Sequence, residues 1–424
     1  MNPIWVLIIT FFIFMILNMP LGIAIAASSL CSMIAADLPG ILLPQRMFGQ
    51  LNSFSLMAVP IFILAGEIME RAGITSRIVR FASACIGHFR AGLAQVSVLA
   101  SMLMAGISGS AAADASALGA TLIPSMVDEG YDRDFAVSVI AAANTIGPII
   151  PPSIMMVIYG SMTGVSIGDM FIGGVVPGIL FGVGIMILIN FMSRKKDFPR
   201  HPRASIGEIG KAFAGAAGAL VMPVIIVGGI LTGFFTATES GVVAILYALI
   251  YGLVMRTIHI RDFPSIFVDA ARSSVTPMFL IGIAAVMGWI FASNNMPAIV
   301  GAFFGRITES PAVLMVIIWA FYMFIGMFME DTAAMIILVP IFAPLAASYG
   351  INDVHFGVFT VVTLLIGCIT PPVGMLLFVC SAIGKIKVSK VYRTVIPFVI
   401  ILGFISLLMG LIPGLVTGLV SLIH

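Results

Sequence analysis

The sequence predicts an all-α polytopic membrane protein built as an inverted-topology repeat, each half carrying a re-entrant hairpin and a broken helix. Three observations carry that reading: a composition too apolar for water, a one-sided distribution of Lys and Arg, and a self-similarity held in constant register. Of 424 residues, 61% are hydrophobic and 9% charged, which leaves too little charge to cover a water-soluble globule. Apolar runs of roughly 20 residues, the length that crosses a hydrocarbon core, recur from end to end. The chain is therefore expected as one membrane domain, 1–424, with lipid as its main solvent.

The N-terminal stretch MNPIWVLIITFFIFMILNMP has neither the basic start nor the small-residue cleavage site of a secretory signal, so it reads as a retained first span. Nine full spans are expected at 4–35, 54–70, 134–158, 166–192, 212–232, 237–255, 275–293, 355–380 and 394–412. The stretches 93–126 and 311–347 read as re-entrant hairpins, because each is apolar yet carries small or acidic residues at its middle. Stretches 297–308 and 415–424 are assigned to neither class. The first repeat is placed at 54–192, scaffold spans and cytoplasmic amphipathic connectors at 193–274, and the second repeat at 275–412.

Positive charge tests the map, since Lys and Arg of short loops stay in the cytoplasm. Tracing from a cytoplasmic N-terminus puts 18 of the 20 basic residues on that side, among them Arg71, Arg90, Lys195, Lys196, Arg200, Arg272 and Lys385. Only Arg46 and Arg306 fall outside. The net charge of +2 follows from those rims and implies no nucleic-acid partner. Cys31, Cys85, Cys368 and Cys380 are dispersed in or beside apolar segments and read as small packed hydrophobes. With no Gly-rich phosphate loop, no cluster among the five histidines and no nucleophile motif, enzyme chemistry and a transition-metal site have no foothold.

At an offset of 220, IGPIIPPSIM at 146–155 lies over IGCITPPVGM at 366–375. The same offset pairs Gly106 with Gly326, Pro124 with Pro344, Gly130 with Gly350, Ser161 with Ser381, Gly164 with Gly384 and Pro177 with Pro397. Five crossings separate the two Pro-Pro spans, so the second copy runs in the opposite sense. Pro148, Pro151 and Pro152, and Pro371 and Pro372, remove backbone donors and clash with the preceding turn, so the helices at 134–158 and 355–380 must break. Unpaired backbone is tolerated at membrane depth only where it lines a cavity or binds something. Paired breaks therefore point to a binding site.

The first hairpin turns within GISGSAAADASALGA at 106–120, offering Ser108 and Ser110, with Asp114 just beyond. The second turns near GMFMEDTAAM at 326–335, with Glu330 and Asp331 at its tip. Ionisable groups at membrane depth mark an ion or substrate path by default. A hard cation such as Na⁺ takes carbonyl, hydroxyl, amide and carboxylate oxygens. Asn144 and Thr145 stand beside the carbonyls near Gly147, and Thr370 beside those near Gly367, so symmetry predicts two Na⁺ sites. Because Asn144 overlies Leu364 and Ile150 overlies Thr370, the two should differ in affinity. No Lys or Arg sits at the middle of a span, so an anionic substrate must be neutralised by half-helix N-termini, hydroxyls and bound cations. Asp114 is an alternative reader of substrate hydroxyl or amide groups, and Thr145 and Ser153 are assigned with it to the substrate.

These residues, SGSAAADASALGATLIPSM with ANTIGPIIPPSIMMVIYG and FMEDTAAMIILVPIFAPLA with IGCITPPVGMLLFV, resemble the large membrane subunit of tripartite ATP-independent periplasmic (TRAP) transporters across essentially the whole chain. The resemblance implies an elevator-type carrier in the bacterial inner membrane that takes up organic acids with Na⁺. It implies two partners, a small membrane subunit and a periplasmic substrate-binding protein. Carried over by motif, the Na⁺ sites fall on Ser108, Asn144 and Gly147 and on Asp331, Gly367 and Thr370, with Ser110 and Glu330 at the hairpin tips. Because the chain lacks the extra N-terminal spans of a fused small subunit, that partner is expected as a separate polypeptide. Rival readings are a stand-alone cation-coupled anion symporter and a non-transporting subunit of a respiratory assembly. The latter usually needs mid-membrane Lys, which this chain lacks.

Overall fold

The computed structural model describes residues 2–195, 198 and 202–423. Lys196 and Arg200, counted above with the cytoplasmic basic residues, lie outside the described residues. Every regular element among the described residues is helical, and six helices are long and apolar enough to cross a membrane.

The chain opens with α1 (Pro3–Ile16) and α2 (Leu21–Ala35). The single span expected at 4–35 is therefore two helices. The chain reverses at Leu17–Pro20, with Asn18 at a φ of 60°, and Ser32 Oγ donates to the Pro3 carbonyl at 2.7 Å. Asn tolerates the left-handed region better than most residues, and Pro20 stands just before α2, where its missing N–H costs nothing. Residue 2 thus lies at the same end of this pair as Ala35.

Then follow α3 (Leu42–Leu51), α4 (Ala58–Arg71) and α5 (Ile74–Ile86). α5 is amphipathic: Ile74, Ile78 and Ala82 are buried at helical spacing, while Arg77 donates to the Tyr251 hydroxyl at 2.7 Å. α6 (Gly92–Ser108) and α7 (Ala111–Asp128) form the first hairpin, α8 (Arg133–Asn144) and α9 (Ile154–Thr163) the first broken helix, and α10 (Ile167–Met192) closes the half. The second half runs α11 (Ile206–Leu231), α12 (Ala237–Val254), α13 (Phe263–Ser293), α14 (Met296–Gly305), the hairpin α15 (Pro311–Gly326) and α16 (Asp331–Ser348), the broken helix α17 (Asp353–Gly367) and α18 (Met375–Ile383), then α19 (Val388–Leu411) and α20 (Gly414–Ile423).

A shift of 220 carries α7 onto α16 at both ends, and brings α2 over α12 and α3 with α4 over α13. The structural repeat thus begins well before residue 54. Two groups of helices result. α2, α3, α4 and α12 gather on α13 and one another, while the hairpins, broken helices, α10 and α19 interlock into a second body. In that body α7 packs on α8 and α18, α8 on α19, and α9 on α16, so elements of both repeats alternate. α4 and α13 face this body, and Arg71 ties their ends together by donating to Glu67 at 3.2 Å, Ser265 at 3.0 Å and Asp269.

Candidate functional site

A cavity of about 530 Å³ lies between the two bodies. Four half-helix N-termini line it: Ser110–Ala113 of α7, Ile154 and Met155 of α9, Glu330–Ala333 of α16, and Met375 and Leu376 of α18. Each break creates one of these ends. Ser153 begins α9, its Oγ accepting from Met156 N at 3.2 Å and donating to the Pro148 carbonyl, and Gly374 at a φ of 54° begins α18. Both Pro-Pro bonds, Pro151–Pro152 and Pro371–Pro372, are cis. The scaffold wall is α4 with Glu67 and Glu70 and α13 with Thr276 and Pro277. Four carboxylates, those of Glu67, Glu70, Glu330 and Asp331, line the cavity, and among the described residues no Lys or Arg does.

Behind the first tip lies a buried cluster. Gly109, at a φ of 62°, abuts the Pro152 carbonyl so closely that a Cβ has no room. Ser108 Oγ donates to Asp114 Oδ1 at 2.6 Å and accepts from Ser110 N at 3.2 Å, while Ser110 Oγ caps α7 through Ala113 N at 3.4 Å. Asp114 is 1% exposed, and its Oδ2 has no hydrogen-bond partner. A Cβ on Gly147 would stand 2.9 Å from that oxygen and 3.3 Å from the Asn144 carbonyl oxygen. Asn144 donates through Nδ2 to the Ile140 carbonyl at 2.7 Å and accepts at Oδ1 from Ser101 at 3.1 Å. An unpaired buried carboxylate oxygen is costly. The Asn144 carbonyl accepts from Gly147 N at 3.2 Å and keeps its second lone pair, and a carboxylate oxygen beside a carbonyl oxygen is the donor set of a hard cation, so these residues fit Na⁺.

The second cluster is built differently. Glu330 caps α16, its Oε2 accepting from Ala333 N at 2.9 Å, and Asp331 Oδ1 accepts from Thr332 N at 3.0 Å. Asp331 is 7% exposed and lines the cavity. Gly326 and Gly367 meet backbone to backbone: a Cβ on Gly326 would fall 2.9 Å from Gly367 Cα, and one on Gly367 would run into Gly326. Thr370 Oγ1 donates to the Ile366 carbonyl at 2.7 Å.

The three residues assigned to the substrate do not line the cavity. Asp114 sits behind the tip against Gly147, Ser153 spends its hydroxyl on the α9 cap, and Thr145 is fully buried with its Oγ1 donating to the Ala142 carbonyl at 2.7 Å. Glu67, Glu70, Thr276 and Met155 do line it, and the sequence reading passed them over. The acidic pair at the end of α4 was the one signal available for them. Across the cavity Thr332 Oγ1 meets Met155 Sδ at 3.7 Å, so the second hairpin touches the first break.

An inverted repeat whose hairpins and broken helices aim four helix ends into one cavity defines a membrane permease of the secondary-transporter class. The family model described as "Tripartite ATP-independent periplasmic transporter, DctM component" matches residues 8–415, and the chain belongs to that family. It is 38% identical over 398 residues to the sialic acid TRAP transporter large permease protein SiaM of Vibrio cholerae, covering 93% of each chain. It is 37% identical to the 2,3-diketo-L-gulonate large permease YiaN of Escherichia coli, covering 88% of each, and 36% identical to the C4-dicarboxylate large permease DctM of Pseudomonas aeruginosa, covering 87% of each. The Alcanivorax borkumensis YdaH transporter shares the fold, with a TM-score of 0.64 at 14% identity over 87% of each chain.

Proposed function

We propose that this chain is the transport subunit for secondary active uptake of a small organic acid coupled to Na⁺, receiving its substrate from a periplasmic binding protein and working beside a separate small membrane subunit. The convergence of four helix N-termini on a cavity lined by carboxylates and, among the described residues, by no Lys or Arg carries the reading. The N-termini favour an anion, whereas Glu70, Glu330 and Asp331 repel one, Glu67 being paired with Arg71. An anion is accommodated there when cations offset the carboxylates, and that requirement is coupling. Two Na⁺ ions are assigned, one held by Ser108, Asp114, Asn144 and Gly147, the other by Asp331, Gly367 and Thr370, with Glu330 and Ser110 shaping the tips. Sialic acid, 2,3-diketo-L-gulonate and C4-dicarboxylates, named for the relatives, are all carboxylated, and a carboxylated compound is proposed here.

The hairpin body moves as a unit against the α4–α13 scaffold in an elevator-type cycle. The protein sits in the bacterial inner membrane. The basic rims face the cytoplasm. Uptake of a radiolabelled carboxylate into proteoliposomes, with and without an inward Na⁺ gradient, binding protein and small subunit, tests this. Uptake should need all of them. Uptake indifferent to Na⁺ would remove the coupling, and full uptake without binding protein would favour a stand-alone symporter.

A further inference from the structure

The seam between scaffold and hairpin body opens into a central cavity and into outer ones. α13 runs along it: Thr276 and Pro277 face the central cavity, while Ala284, Ala285 and Gly288 face an outer one of about 490 Å³ whose far wall includes Pro340 and Pro344 of α16. Gln50 and Ala285 also border an adjoining cavity of about 450 Å³ that holds Gln45, Arg46 and Trp289. The two outer cavities therefore form one vestibule. At the inner end stand Glu67, which accepts from Arg71 at 3.2 Å, and Glu70. In the vestibule the charged groups are Arg46, on α3, and Asp353, at the start of α17.

Arg46 has no partner that would hold it for structural reasons. Among the described residues no carboxylate pairs with it, and its Cζ lies 4.9 Å from the centroid of the Trp289 ring. A cation–ring contact spends none of the guanidinium N–H groups on an oxygen, and their fork matches a carboxylate. We infer that Arg46, steadied on Trp289, is an anion-capture station at the outer mouth that takes a carboxylate group before it passes along the seam. The inference rests on the proposed inward transport of a carboxylated substrate. A charge of one sign at a mouth raises the local concentration and arrival rate of its opposite.

A lipid phosphate offers the same acceptor chemistry, so the test needs two bilayers. The complex with the small subunit is reconstituted in phosphatidylcholine alone and with added phosphatidylglycerol, and uptake is driven by loaded binding protein below saturation. Arg46→Gln should slow initial uptake roughly three- to tenfold in both bilayers and flatten its dependence on ionic strength, as loss of a steering charge does. Arg46→Lys, which keeps the charge but not the fork, should fall between. The affinity of unloaded binding protein for the complex in nanodiscs and the thermal midpoint should not move. Unchanged uptake would overturn the inference. So would an effect confined to anionic bilayers, which assigns Arg46 to headgroups, or a loss of binding-protein affinity in step with uptake, which assigns it to docking. A wild-type complex that takes up nothing overturns the parent reading as well, and is seen before any variant is compared.

Discussion

The two repeats place their helices in the same register and their carboxylates in different ones. Asp114 is the fourth residue of α7 and its counterpart in α16 is Ala334; Asp331 is the first residue of α16 and its counterpart in α7 is Ala111. The first carboxylate is consequently turned inward, held by Ser108 and pressed toward Gly147, while the second sits at the tip and borders the cavity. Gly147 leaves space for an oxygen, and its counterpart Gly367 leaves space for a backbone. Helical symmetry fixes where the chain breaks; one turn of displacement along a helix decides whether a carboxylate meets protein or the cavity.

The largest expected effect separates the two glycines. Gly367→Ala drives a Cβ into Gly326, whose backbone cannot rotate away, so the thermal midpoint of the purified protein should fall by an amount equivalent to about 1–3 kcal/mol or more, as overpacking does. Gly147→Ala meets a side-chain oxygen that can shift, so it should fold with a smaller loss and a weakened response to Na⁺. Equal unfolding of both would erase the distinction.

Next in size come the carboxylates. Asp114→Asn should raise the Na⁺ concentration for half-maximal uptake roughly tenfold or more, because a buried charge is poorly screened. Asp331→Asn should raise it less, since the cavity beside it admits water. The reverse order would mean that the outward-facing carboxylate dominates coupling.

Smaller again is Ser108→Ala. It removes a donor to a carboxylate, a bond of about 1.5–3 kcal/mol, whereas Thr370→Ala removes a neutral helix back-bond of about 0.5–1.5 kcal/mol. Na⁺ titrations of uptake should rank them in that order, and a larger effect at Thr370 would show that its hydroxyl serves the ion directly. The caps should differ least. Ser110→Ala and Glu330→Ala should each cost about 1 kcal/mol of stability in thermal unfolding, and a far larger loss of uptake than of stability at Glu330 alone would assign its carboxylate to transport.

The breaks at Pro151 and Pro371, the hairpin tips and the register of 220 were legible because proline, glycine and mid-membrane charge act locally and leave few alternatives. The first two helices were not. No Lys or Arg occurs before Arg46, so the charge test that fixed the parity of the later spans was blind to the turn at Leu17–Pro20, and a 4–35 run satisfied it equally as one span or two. The amphipathic α5 falls between the expected spans, and its packing against α6 and α11 shows what its apolar face covers.

By itself the sequence determined that this chain lives in lipid, that it is built twice, and where each copy must break, since composition, periodicity and proline report directly on solvent and backbone. Tertiary structure decided which broken ends meet. The pairing of α9 with α16 and of α7 with α18 joins residues more than a hundred positions apart and brings four helix N-termini to one cavity. It also decided that Asp114, Thr145 and Ser153 turn away from that cavity while Glu67 and Glu70 turn toward it. Side-chain direction on a helix depends on a rotation of 100° per residue and on the neighbour it packs against. A motif names the oxygens; only the packed helices say which of them face the space where an ion or substrate can stand.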